Sequence, residues 1–126
     1  MRLAPLLAGA WRLVSVEDRR ANGEKLTRLG AAPVGSLVYT ESGRMALQIA
    51  PTDPNAPGYV AYFGRYEVDA AAGTLTHVIE RSLLPGHEGE RQVRGFALDG
   101  ARLTLRARWT HEGEPVESVV VWQREP

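Results

Sequence analysis

Residues 60–80 read VAYFGRYEVDAAAGTLTHVIE, and the reading of this stretch decides the fold. Two runs rich in aromatic and β-branched residues flank a small, polar, glycine-ending break at Asp69 to Gly73, which is the signature of a β-hairpin. Pairing Asp69 with Thr74 sets Val68 opposite Leu75, Tyr66 opposite His77, Gly64 opposite Ile79 and Tyr62 opposite Arg81. Side chains alternate along a strand and cross-strand partners share a face. One face then carries Val60, Tyr62, Tyr66, Val68, Leu75, His77 and Ile79. The other carries Arg65, Glu67, Thr76 and Glu80 and is expected to meet solvent. A hairpin with one apolar and one charged face belongs to an antiparallel sheet that buries one side.

The same punctuation recurs along the chain. Asn22-Gly23, Glu41-Ser42-Gly43, Pro85-Gly86, Asp99-Gly100 and His111 to Glu114 interrupt runs rich in Val, Leu, Tyr, Thr and Arg. The spacing predicts strands near 11–20, 35–40, 44–50, 59–69, 74–81, 90–98, 101–109 and 116–124, with a short extra strand at 24–28 and a helical turn from Pro5 to Ala10. Pro51, Pro54 and Pro57 make 50–57 a loop. Many short strands between turn signals predict an all-β sandwich or barrel. A two-residue turn at Asp99-Gly100 pairs Leu98 with Ala101, Phe96 with Leu103, Arg94 with Leu105 and Gln92 with Ala107. Phe96, Leu103 and Leu105 belong inside, so Arg94 and Gln92 are expected to point inside with them. A three-residue loop at Glu41-Ser42-Gly43 aligns Tyr39 with Met45 and Leu37 with Leu47, another inner face. The last strand, Val116 to Gln123, has no clearly polar side, which suggests cover on both faces and a possible homodimer.

At 126 residues the chain is expected to form one domain over 1–126, large enough to bury a sizeable core. It has no cysteine, which excludes disulfides, thiolate metal sites and a cysteine nucleophile. Its 15 basic residues balance its 15 acidic ones, so it lacks the positive excess of a nucleic-acid binder. Arg102, Arg106 and Arg108 alternate and read as a solvated outer face. No apolar run is long enough to cross a bilayer as a helix, so no membrane partner is expected. Met1-Arg2 followed by Leu3 to Ala10 imitates a secretory leader, but its apolar part is short and merges into the first strand, so the expected location is the cytoplasm.

Gly9-Ala10-Trp11 leads into the first strand and Arg124 lies near the end of the last. This pair resembles the lipocalin Gly-x-Trp signature with the arginine that packs over its tryptophan. The stretches Leu7 to Ser15, Tyr39 to Met45, Tyr62 to Val68 and Gln92 to Phe96 make the whole chain similar to the bacterial and fungal lipocalin-like domain family, which is distinct from the secreted lipocalins. The resemblance implies a closed antiparallel lipocalin-like β-barrel of eight to nine strands around a pocket for a small, largely apolar molecule. Some relatives are associated with cyclisation or dehydration in natural-product pathways, but the family has no catalytic motif to carry over.

The inward-facing polar residues carry the chemistry. Tyr39, Met45, Tyr62, Tyr66, His77, Gln92, Arg94 and Phe96 are the expected pocket, with Trp109 at its mouth. An inward arginine must be paired or face a cavity. Arg94 can hold a carboxylate, phosphate or enolate oxygen, or it can pair with Glu67 or Glu80. His77, opposite Tyr66, can act as a base with Tyr66 or Tyr62 as the acid, or be a core histidine bonded to a tyrosine hydroxyl. His87 and His111 fall in turns and no spacing suggests a metal or another cofactor. Three functions follow. The chain binds a small hydrophobic or amphipathic molecule. Alternatively it is a cyclase, dehydratase or isomerase, with His77 as base and Arg94 and Tyr66 stabilising an oxyanion. In the third reading it is a structural or dimerisation module with a packed interior.

Overall fold

The computed structural model describes residues 4–126, so the first three residues of the leader-like stretch lie outside the described residues. Each expected alternating run forms a strand: β1 (Gly9–Arg20), β2 (Lys25–Leu26), β3 (Val34–Tyr39), β4 (Arg44–Ala50), β5 (Val60–Asp69), β6 (Thr74–Ser82), β7 (Arg91–Asp99), β8 (Arg102–His111) and β9 (Glu114–Arg124). Consecutive strands from β3 to β9 pair antiparallel, β3 pairs with β1, and β9 returns to β1 and closes the wall. The result is an all-β, eight-stranded antiparallel barrel. β2 is a ninth strand, paired with the far half of β1 at Asp18↔Leu26. A helical segment, Ala4–Leu7, precedes β1. The turn expected over Pro5–Ala10 ends sooner, because Gly9 and Ala10 already pair with Tyr39 and Val38. Among the described residues no helix is long and apolar enough to cross a membrane.

The hairpin registers follow the alternation, with two differences. Tyr39↔Met45 and Leu37↔Leu47 pair as expected. In the second hairpin Phe96 faces Leu105 and Leu98 faces Leu103, two residues from the expected pairing. Asp99 closes the ladder against Arg102, leaving Gly100 and Ala101 as the loop, and only Gly100 needs positive φ, at 59°. A shift of two preserves the face, so Gln92 and Arg94 stay inside. In the hairpin of β5 and β6 the register holds from Asp69↔Thr74 to Gly64↔Ile79, then a bulge moves Tyr62 from Arg81 to Ser82. At the bulge the strands approach so closely that a Cβ on Gly64 would lie 1.9 Å from the Val78 carbonyl oxygen. A second irregularity, between Leu13 and Ser15 of β1, turns Val16 and Asp18 inward after Trp11 and Leu13.

The outer face of β8 is charged, with Arg102, Arg106 and Arg108 exposed. Thr76, expected in solvent, is buried on that side of β6, where its cross-strand neighbours are Glu67 and Val93. The outer residues Val119 and Val121 of β9 are half-buried.

One end of the barrel is plugged. Leu7, Trp11, Leu37 and Trp122 are fully buried there. The Trp11 indole N–H donates to the Leu7 carbonyl at 2.9 Å. Arg124 lies 4.3 Å from the centroid of the Trp11 ring and donates to the carbonyls of Ala8 and Leu6.

Candidate functional site

The other end opens into a cavity of about 500 Å³. Its rim comes from the loop after β2, the β6–β7 loop and the strand ends near Trp109 and Ser118, so the long loops lie at the open end. Val16, Leu47, Ile49, Leu105, Val120 and Trp122 make most of its walls apolar. Tyr62, His77, Gln92 and Arg94 form a polar patch on the adjacent strands β5, β6 and β7.

That patch exists because strand parity puts His77 opposite Gln92, and Arg94 two residues further along the same face. Two tyrosine hydroxyls hold the His77 ring. Tyr39 Oη lies 2.6 Å from Nε2 and Tyr62 Oη lies 2.7 Å from Nδ1. Both ring nitrogens are therefore engaged. Burial, with the nearby charge of Arg94, pushes the pKa of His77 down to about 3, so the ring is neutral at physiological pH. Burial also raises the Tyr39 hydroxyl well above its ordinary value. It raises Tyr62 as well, while the charge and hydrogen bond of Arg94 pull Tyr62 partly back.

Arg94 has no carboxylate partner among the described residues. Glu67 pairs with Arg91 and Glu80 with Arg44, both on the outer wall. Arg94 donates from Nη2 to the Gln92 side-chain oxygen, which leaves the Gln92 amide N–H groups free, and its guanidinium also neighbours the Tyr62 hydroxyl oxygen.

Of the nine residues expected to form the pocket, the structure brings Tyr62, His77, Gln92, Arg94 and Trp109 to the cavity. Tyr39, Met45 and Tyr66 are buried in the packed core instead, with Phe96 packed against it. The pairing of His77 with Tyr66 as a proton-transfer couple is corrected. Their backbones are opposite, but the Tyr66 hydroxyl turns away and donates to the Thr40 carbonyl at 2.6 Å. Tyr39 takes that place from across the barrel.

The rim contains a network that strand reading missed. Asp18 is 3% exposed and accepts from Arg28 Nε at 2.9 Å and from the Ser118 hydroxyl. Ser118 in turn accepts from the Trp109 indole N–H at 2.7 Å. The Arg28 guanidinium stacks 4.8 Å over the Trp109 ring. This brace holds the loop that carries Leu29, itself buried and lining the cavity. Alternation from Trp11 and Leu13 gives no sign of the brace, because the irregularity after Leu13 is what turns Asp18 inward. Among the described residues no cluster of three or more His, Asp or Glu side chains is placed to hold a metal.

The plug of Gly9-Ala10-Trp11 beneath Arg124 agrees with a wider match. The model of a family described as a lipocalin-like domain matches residues 8–125. The chain belongs to the lipocalin-like domain family. No curated protein matches the chain. A lipocalin-like barrel with an open cavity is, at the coarse level, a small-molecule container: eight strands leave room for one such ligand.

Proposed function

We propose that this lipocalin-like protein binds a small, largely apolar or amphipathic molecule inside the barrel, with its polar end against Arg94. The observation that carries this reading is the cavity of about 500 Å³ whose apolar walls face an arginine without a carboxylate partner among the described residues. Such a volume falls within the range of small-ligand sites, roughly 300–1,000 Å³. A purely structural module would fill this space with side chains. An enzyme using His77 as base would need a ring nitrogen open to substrate, and both are bonded to tyrosines. Both observations support binding.

Native mass spectrometry of the purified protein, with anilinonaphthalene sulfonate added as an amphipathic anionic probe, tests the reading. The expected result is one probe per chain, lost on filling the cavity with Ala107→Trp and weakened by Arg94→Ala. Binding that survives Ala107→Trp would place the probe elsewhere and overturn the assignment. The same spectrum reads monomer or dimer, and so tests self-association through the half-buried outer face of β9.

A further inference from the structure

The hydrogen-bond donors and acceptors around His77 do not balance, and the imbalance points into the cavity. A neutral imidazole has one N–H and one bare nitrogen. Tyr39 is 1% exposed, and its hydroxyl has His77 Nε2 as its one hydrogen-bond partner. If Nε2 carried the proton, the Tyr39 O–H would be a buried donor without an acceptor, which folded proteins avoid. With the proton on Nδ1, Tyr39 donates to Nε2 and every group of the pair is satisfied. Nδ1–H then donates to the Tyr62 oxygen at 2.7 Å. That leaves the Tyr62 O–H free, and Tyr62 lines the cavity.

The neighbours of Tyr62 have the same polarity. Arg94 offers only donors, and it occupies the Gln92 side-chain oxygen, so Gln92 presents its amide N–H groups. Trp122 also lines the cavity, and its indole N–H is buried without an acceptor. Of the carboxylates bordering the cavity, Asp18 is already engaged by Arg28, and Glu90 lies against His87.

We infer that the cavity selects a carboxylate-headed amphiphile, bound by Arg94, Gln92 and the Tyr62 hydroxyl, and that His77 is a positioning residue whose Nδ1–H tautomer, set by Tyr39, turns the Tyr62 proton toward the ligand. This rests on the binding function proposed above and deepens it. A carboxylate fits because it is acceptor-only and supplies the negative charge that Arg94 lacks. An alkylamine of equal length brings a like charge and no acceptor.

Two measurements test the inference together. Nitrogen-15 NMR of the His77 ring in the ligand-free protein is expected to show Nδ1 protonated and Nε2 bare; the reverse tautomer overturns the role given to His77 and Tyr62. Calorimetric titration at neutral pH with decanoate, decanol and decylamine is expected to rank decanoate first and decylamine last. Tyr62→Phe is expected to weaken decanoate by about 10-fold, the equivalent of one charge-assisted hydrogen bond, and decanol less. Tyr39→Phe, outside the cavity, is expected to weaken decanoate by a smaller factor because it releases the ring to accept the Tyr62 proton. Equal binding of the three chains, or binding of the anilinonaphthalene sulfonate probe but none of them, overturns the carboxylate assignment and leaves the binding function standing. Failure of all four probes removes the binding function itself.

Discussion

Arg124 stacks 4.3 Å over the ring of Trp11 while its two terminal nitrogens donate to the carbonyls of Ala8 and Leu6. One side chain of the last strand thus joins the plug, the start of the first strand and the helical segment before it. Arg124→Ala is expected to cost about 2–3 kcal/mol, combining a desolvated cation–π contact with two charge-assisted hydrogen bonds. Arg124→Lys keeps the charge but loses the planar fork, and is expected to recover less than half of that. Urea unfolding of the three proteins measures both; a lysine variant as stable as the parent would reduce the contact to simple charge.

Gly64 is required by the bulge opposite it. A methyl group there would lie 1.9 Å from a backbone oxygen, which cannot move aside as a flexible side chain would. Gly64→Ala is expected to destabilise the barrel by ~3 kcal/mol or more, in the range of severe core strain. The melting temperature reads the effect, with Gly73→Ala as a comparison, because nothing lies within 4 Å of a Cβ built at Gly73. That variant carries only the cost of positive φ.

Acid should loosen the fold through His77. Its pKa is held down at about 3 in the folded state against an ordinary 6.5, so below pH 6.5 the unfolded chain binds a proton that the folded chain refuses. Stability rises with pH wherever the unfolded state binds more protons, so this contribution is fully present above pH 6.5 and is lost as pH falls toward 3. The full loss is of the order of 4 kcal/mol, reached near the folded-state value. His77→Gln lowers stability at neutral pH and is expected to flatten the decline. Denaturant titrations from neutral pH downward compare the slopes, and parallel slopes would assign acid sensitivity to the carboxylates instead.

The rim brace should behave as a unit. Arg28→Met strands the Asp18 carboxylate, 3% exposed, without its cation, and is expected to cost about 2–3 kcal/mol. Adding Asp18→Asn removes the stranded charge, so the double variant should be more stable than Arg28→Met alone, a departure from additivity measurable in a double-mutant cycle. Loss of the brace also frees the loop that holds Leu29 at the mouth. Stopped-flow release of anilinonaphthalene sulfonate is therefore expected to quicken several-fold, with a smaller change in affinity.

Strand-by-strand reading was sufficient for much of this architecture because alternation is a local property. The parity of residues 92–96 survives even a two-residue change of register, so Arg94 was placed inside from its spacing to Phe96 alone. The Gly9-Ala10-Trp11 stretch and Arg124 identified the plug. The partners of His77 were not legible in the same way. Pairing rules name neighbours on adjacent strands, which led to Tyr66 and Tyr62, of which only Tyr62 bonds the ring, whereas Tyr39 reaches Nε2 from β3, three strands away around the wall. That contact depends on the diameter and stagger of the closed barrel. The bulges escaped for a related reason: an extra residue at Glu80 changes no hydropathy pattern, and only the glycine opposite it marked the spot.

The closure of β9 onto β1 also bears on how the chain reaches its native state. Arg124 and the carbonyl it binds at Ala8 are 116 residues apart, and every intervening hairpin can form before they meet. Loop-closure entropy makes such a distant pairing slow. During synthesis β1 therefore emerges first and is left with an open edge until β9 has cleared the ribosome. The twelve residues Gly9–Arg20 form the longest strand of the barrel and spend the longest time exposed to wrong partners.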